Sequence, residues 1–206
     1  MFDNLNALVY DIEIVKAIRG KDEALIEGIE YCAGWGDHAN MGISVVGVHD
    51  LLTGQYRVFC SDNLSEFFAL AGNRELLISF NGVGFDNEVL KHFGELPKEN
   101  YKGQPDHHHY YDILREVWLC KGLSPDKFYW KTHGGFGLDA ICSANGLGSK
   151  TGHGALAPVQ WQRGEIGSVI DYCLQEVHLT SELFKLCQVW PINSPKGGTL
   201  KLRRVV

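Results

Sequence analysis

Five side chains in this sequence could carry out metal-assisted chemistry together if the fold brought them to one place: Asp11, Glu13, Asp86, Tyr172 and Glu176. Asp11 and Glu13 interrupt an apolar, β-branched run at 8–15, which reads as a strand buried on at least one face. Residues i and i+2 of a strand point the same way, so both acids leave one face together. Two ionised carboxylates so close repel, and desolvating them is costly unless positive charge lies between them. A divalent cation is the simplest source of that charge. An edge strand whose acids face water is the competing reading.

Asp86 lies in Phe80-Asn81-Gly82-Val83-Gly84-Phe85-Asp86, where an apolar strand gives way to a helix. The carboxyl end of a strand is where open α/β sheets place their sites. It is equally the place for an aspartate that caps a helix. Tyr172 and Glu176 belong to the longest helical pattern, 165–190. With Ile166 at zero and about 100° per residue, Ile166, Val169, Ile170, Cys173, Val177, Thr180, Phe184 and Cys187 fall within about 60° of one line and form the core stripe. Tyr172 and Glu176, four residues apart, sit side by side about 80–120° round and can point jointly into a cleft at the edge of the core. A Tyr–Glu contact on the surface is the plainer alternative for this pair. His178 falls on the far flank and is expected to face solvent.

The surrounding elements must position these residues. Runs 42–48 and 56–60 are apolar and separated by a hairpin signal, so with 8–15 they make three sequential antiparallel strands. Residues 16–30 are mixed and charged and read as loop. A short helix is predicted at 62–71 with Asp62 or Asn63 as cap, then a strand at 76–80 and a helix at 85–93 that packs Val89, Leu90 and Phe93 inward. After a polar loop at 95–106, residues 110–120 pass from a short strand into a helix, with Asp112 near its start. Residues 121–137 form an aromatic loop rich in glycine and lysine. A helix begins at 138–144, and both Asp112 and Asp139 read as helix caps. Residues 146–157 are a glycine-rich excursion. Strands first, then helices alternating with short strands, indicate an α/β fold with a mixed sheet flanked by helices.

Composition sets the outer limits. The 206 residues suffice for one domain with a sizeable core, placed at 1–190, followed by a basic tail at 191–206. That tail could meet phosphates or simply keep the terminus soluble. No apolar run approaches bilayer length and no signal-peptide pattern opens the chain, so no membrane partner is expected. The six cysteines are scattered without a Cys-x-x-Cys pair, which favours buried free thiols in a reducing compartment, and a cytoplasmic location. A net charge of −6 argues against wrapping duplex nucleic acid, though not against gripping a few nucleotides. The run His107-His108-His109 lacks the spacing that lets zinc ligands converge and reads as an exposed polar loop.

Asp11-x-Glu13, Asn81-x-x-x-Phe85-Asp86 and Tyr172-x-x-x-Glu176, in that order, resemble the three motifs of the DEDD (DnaQ-like) 3′–5′ exonucleases, which have the ribonuclease H-like fold. The tyrosine points to the DEDDy branch. Ser79-Phe80-Asn81-Gly82, Leu138-Asp139-Ala140-Ile141 and Lys150-Thr151-Gly152 look like stand-alone bacterial and phage relatives of the family-B polymerase proofreading domain, and the likeness spans roughly residues 6–190. It implies a 3′–5′ exonuclease acting on single-stranded 3′ ends, DNA more than RNA, with two Mg²⁺ or Mn²⁺ ions. A polymerase or helicase partner is left open.

The implied roles follow from how a phosphodiester is hydrolysed. Two divalent ions about 3.5–4 Å apart neutralise the attacking and leaving oxygens, and carboxylates suit such ions. Asp11 is expected to bridge both ions. Glu13 and Glu176 would complete the nucleophile-side ion, and Asp86 would support the other. Tyr172 would orient the attacking water, because a hydroxyl with a reference pKa near 10 positions better than it abstracts. Phe85 and Ile14 are expected to wedge or stack against a terminal base, with core packing as the alternative for Phe85. Asn81 could bond a sugar or phosphate, or serve as a turn residue. Lys150 is a candidate phosphate contact. One departure stands out: the family's third motif ends in Asp, and Glu176 is a methylene longer. Mg²⁺ demands near-octahedral geometry at about 2.0–2.1 Å. Activity is therefore expected to persist, slow, shift towards Mn²⁺, or give way to a binding module without catalysis.

Overall fold

A computed structural model describes residues 2, 4–97, 109–150 and 152–205. A five-stranded mixed sheet forms its centre. Strands β1 (Ala7–Ile14), β2 (Ile43–Asp50), β3 (Gln55–Phe59), β4 (Leu76–Ser79) and β5 (His109–Asp112) lie in the order β3-β2-β1-β4-β5. The pairs β1–β2 and β2–β3 are antiparallel, as the hairpin signal predicts, while β1–β4 and β4–β5 are parallel. Helices α1 (Leu64–Gly72), α2 (Asp86–Leu90), α3 (Ile113–Cys120), α4 (Leu138–Ala144), α5 (Ala157–Gln162) and α6 (Ile166–Val189) flank it. This is the expected α/β architecture, consistent with a ribonuclease H-like fold.

Side-chain alternation on β1 decides where the acids go. Leu8, Tyr10, Ile12 and Ile14 pack with Phe59, Phe67 and Leu90. Ala7 and Val9 pack on the opposite side, with Val177 and Phe184 of α6. Asp11 and Glu13 continue that second face, so the strand period alone delivers both carboxylates to the helix that carries Tyr172 and Glu176. All of β2 is buried, and α6 crosses it closely at Gly47, where an added Cβ would come within 2.8 Å of Cys173 Sγ. The helix buries Val169, Cys173, Val177, Thr180, Phe184 and Cys187, as the wheel predicts, and each large apolar side chain contributes about 1.5–3 kcal/mol by burial. Ile166 and Ile170 depart from the stripe: Ile166 is exposed, like the other residues of 163–168, and Ile170 is half-buried. His178 is exposed, with its Nδ1 3.0 Å from the Tyr56 hydroxyl.

Several local expectations are corrected. Helix α2 stops at Leu90, so Phe93 lies outside the helical register and is exposed rather than inward. Gly137, not Asp139, occupies the N-cap of α4; the Asp139 Oδ1 instead accepts a hydrogen bond from the Lys150 backbone N–H at 2.7 Å. The excursion at 146–157 leads directly into the unanticipated helix α5, and the aromatic loop contains one helical turn, Trp130–His133.

Residues after 190 return to the core. Ile192–Asn193 pairs antiparallel with Thr199–Leu200, and Ile192, Leu200 and Leu202 are buried beside Phe184. The Tyr111 hydroxyl donates to the Arg203 carbonyl at 2.7 Å, while Lys196 and Lys201 remain exposed. All six cysteines are free thiols, and Cys32, Cys142, Cys173 and Cys187 are buried. His107 and His108 lie outside the described residues. Among the described residues no helix is long and apolar enough to cross a membrane.

Candidate active site

Beyond Val9, β1 runs past the end of its partner β4, whose pairing stops at Ile78. The Ile12 N–H on that edge is met instead by the Asp86 Oδ1 at 3.0 Å, which sets this carboxylate against the backbone between Asp11 and Glu13. Asp86 opens α2, and the turn leading to it is held by Asp112. The Asp112 carboxylate caps α3 through Leu114 and Arg115 and also accepts from the backbone N–H of Asn81 (2.9 Å) and Val83 (3.1 Å). Four backbone donors saturate that side chain, which supports its reading as a cap rather than a ligand. Asn81 adopts φ 68°, the left-handed turn conformation that asparagine tolerates.

A cleft of about 410 Å³ opens where β1, β4 and β5 end. Its lining includes every residue singled out from the sequence: Asp11, Glu13, Ile14, Asn81, Phe85, Asp86, Lys150, Tyr172 and Glu176. The tightest grouping is Asp11, Glu13 and Cys173, each with a ligand atom within 4.8 Å of the others. Asp86 and Glu176 border this group rather than join it. Glu176 is engaged from two sides through one oxygen: its Oε1 accepts from the Tyr172 hydroxyl and pairs with the Lys150 ammonium. Gly152, two residues on from Lys150, passes close against the Tyr172 ring. A Cβ on Gly152 would come within 2.9 Å of that ring, so glycine is required there.

The electrostatics follow from this crowding. Burial raises the Asp11 carboxyl well above the ordinary carboxylate range, and the charges of Glu176, Asp86 and Glu13 push the same way, while Lys150 opposes them. Glu13 is raised likewise, by burial first and then by Glu176 and Asp86. Burial pushes Asp86 up to about 7 against the hydrogen bond from Ile12. Burial alone would lower the Lys150 ammonium, but Glu176, Asp11 and Glu13 outweigh it and the net shift is upward. The Tyr172 hydroxyl is raised by burial and by Glu176, so it stays protonated. Cys173 is also raised by burial, then by Asp11, and remains a thiol. The donor set is therefore oxygen-rich, with carboxyls that a bound cation would hold ionised and one neutral sulfur, and it fits hard divalent cations such as Mg²⁺ or Mn²⁺ better than zinc.

A pH test follows. Asp86 titrates near 7 in the folded chain against an ordinary value of 3.8, so its stabilising contribution is complete below about pH 4 and is lost as pH rises through 7. The full loss is about 4 kcal/mol, of which on the order of 1 kcal/mol falls between pH 6 and pH 8. The chelated protein is expected to melt at a lower temperature at pH 8 than at pH 6, and millimolar Mn²⁺ is expected to raise the midpoint more at pH 8. Thermal scans at both pH values check this; an equal Mn²⁺ shift at each would remove the cluster as the binding site.

Trp35 and Cys173 were not legible as site residues. Cys173 sits on the core stripe of its helix, and nothing in sequence separates it from its neighbours. Trp35 carried one available signal, an aromatic between two glycines in a polar loop. No family model and no curated protein matches this chain. Among solved structures the chain is similar to the family B DNA polymerase from the hyperthermophilic archaeon Pyrobaculum calidifontis, at a TM-score of 0.56 and 16% identity over 87% of this chain. It spans only 24% of that polymerase's length, and at this identity the likeness is one of fold: this chain has the architecture of one part of a family B DNA polymerase.

Proposed function

We propose that this protein is a divalent-metal-dependent 3′–5′ exonuclease of the DEDDy type, hydrolysing single-stranded nucleic acid from its 3′ end, DNA in preference to RNA. The observation that carries the reading is the meeting of Asp11, Glu13, Asp86, Tyr172 and Glu176, from three separate stretches of chain, in one cleft. The fold likeness to part of a DNA polymerase supports the substrate class.

Asp11, Glu13, Asp86 and Glu176 would hold two Mg²⁺ or Mn²⁺ ions. When bound, such ions activate a water and neutralise charge on the attacking and leaving oxygens. The protein's own groups do the rest. The Ile12 N–H fixes the Asp86 carboxylate. Tyr172, protonated and already donating to Glu176, orients the attacking water rather than abstracting its proton. Lys150 offers its ammonium to the phosphate once substrate competes for it. Asn81, tied to Asp112 through its backbone, presents its amide to the sugar, and Ile14 and Phe85 form the apolar wall beside them.

Tyr172→Phe is expected to lower the hydrolysis rate by about 10–100-fold while leaving Mn²⁺ affinity unchanged, as for a group that positions rather than ligates. Single-turnover rates and a metal titration by thermal shift separate these. A variant as active as the parent would remove Tyr172 from the mechanism.

A second reading is favoured by one observation: the Glu176 Oε1 is taken by both Lys150 and Tyr172, so a metal must displace or share that oxygen. On this reading the chain binds single strands without cutting them. Mononucleotide release from a 5′-labelled DNA strand and its RNA counterpart, with Mg²⁺ and with Mn²⁺, decides. A ladder shortening from the 3′ end supports the exonuclease, with circular single strands left intact. Tight binding without release under either metal supports the second reading.

A further inference from the structure

Trp35 is 71% exposed, yet it lines the same cleft as the acidic cluster. A single exposed tryptophan needs no explanation; one held at the lip of a carboxylate-floored cleft does. Its loop is ordered around Asp37. That carboxylate accepts from the Ala33 N–H at 2.8 Å and from the Asn40 side-chain amide at 2.6 Å, and the Asp37 N–H closes the turn onto the Gly34 carbonyl at 3.0 Å. The indole is therefore displayed from a fixed turn. Phe85 stands edge to face with Trp35 (5.9 Å, 65°) and with His38 (6.0 Å, 78°), which makes it a strut between two rings.

We infer that Trp35 is a base-stacking residue: its indole face receives the base of the 3′-terminal nucleotide while the acidic floor takes the adjoining phosphodiester. The inference rests on the nuclease reading and deepens it by assigning a base subsite to a residue outside the three motifs. The lining of the cleft joins apolar and aromatic side chains, with Trp35 and Phe85 in ring contact, to the carboxyl groups of Asp11, Glu13 and Glu176. An occupant must join a flat apolar surface to a group that binds metal-neutralised carboxylates, and a nucleotide does both. Every base has a π face, so this contact adds affinity with little sequence preference.

The test uses a five-nucleotide DNA strand, labelled at its 5′ end, carrying either thymine or an abasic tetrahydrofuran residue at its 3′ end. Binding is measured by fluorescence anisotropy with Ca²⁺, whose looser coordination suits binding better than turnover. The parent protein is expected to bind the thymine strand about 10-fold more tightly than the abasic one, and Trp35→Ala to bind both strands as the parent binds the abasic strand. Trp35→Phe, which keeps an aromatic face, is expected to fall between them. The inference is overturned if the parent does not discriminate, if Trp35→Ala retains the discrimination, or if it weakens both strands equally. A parent that binds neither strand and releases no mononucleotide with Mg²⁺ or Mn²⁺ overturns the nuclease reading and this inference together; the other outcomes leave that reading standing.

Discussion

Asp11→Asn is expected to lower nuclease activity by roughly 10³-fold or more, because stabilising transition-state charge by metal is worth several kcal/mol and each 1.36 kcal/mol is a decade in rate. The same change is expected to make the chelated protein more stable. Asp11 faces α6, and burial first, then the charges of Glu176, Asp86 and Glu13, raise its pKa. A carboxyl whose folded-state pKa is raised contributes its full stability below the unfolded value, and that contribution is lost as pH rises through the folded value. At pH 8, far above the ordinary carboxyl range, holding Asp11 in this site therefore costs stability, and the neutral amide removes that cost while keeping the shape. The expected result is a melting midpoint roughly 3–10 °C above the parent at pH 8 in chelator, with the gap closing towards pH 4. Activity assays and thermal scans on one preparation check both halves. An inactive variant that is also less stable at pH 8 would mean that Asp11 serves the fold and not a charged site.

Glu176→Gln is expected to reduce activity by at least about 100-fold, since a shift or loss of one positioned charge at a reacting centre costs that order. Gln keeps the length of the side chain and an oxygen for the Tyr172 hydroxyl, so what it removes is the negative charge facing Lys150. Its effect on stability is expected to be smaller than that of Asp11→Asn. Relief of repulsion on Asp11 and Glu13 is offset by the lost partner of the Lys150 ammonium. Glu176→Asp is the informative companion. If the extra methylene is what limits Mg²⁺ geometry, the shorter side chain raises the Mg²⁺-supported rate relative to the Mn²⁺-supported one. An unchanged Mg²⁺-to-Mn²⁺ ratio would show that side-chain length at 176 does not set metal preference.

The sequence by itself determined direction within each element. The two-residue period of β1 put Asp11 and Glu13 on one face. The 3.6-residue period of α6 placed Tyr172 beside Glu176 at the margin of the apolar stripe, and the strand-to-helix junction put Asp86 at a carboxyl end. Where the period was cut short the reading failed: α2 ends at Leu90, so Phe93 turns outward, and Gly137 took the cap position expected of Asp139. Tertiary structure alone decided what met what. That Ile12 would need the Asp86 carboxylate follows from β4 ending before β1 does. That Lys150 would neutralise Glu176 follows from where its glycine-rich loop meets α6, with Gly152 close against the Tyr172 ring, and that Trp35 would stand at the lip follows from its contact with Phe85, fifty residues away. Local backbone geometry is set by neighbours in the chain and is written in short-range patterns. The distance between elements is set by how their buried faces fit, and no short-range pattern encodes that.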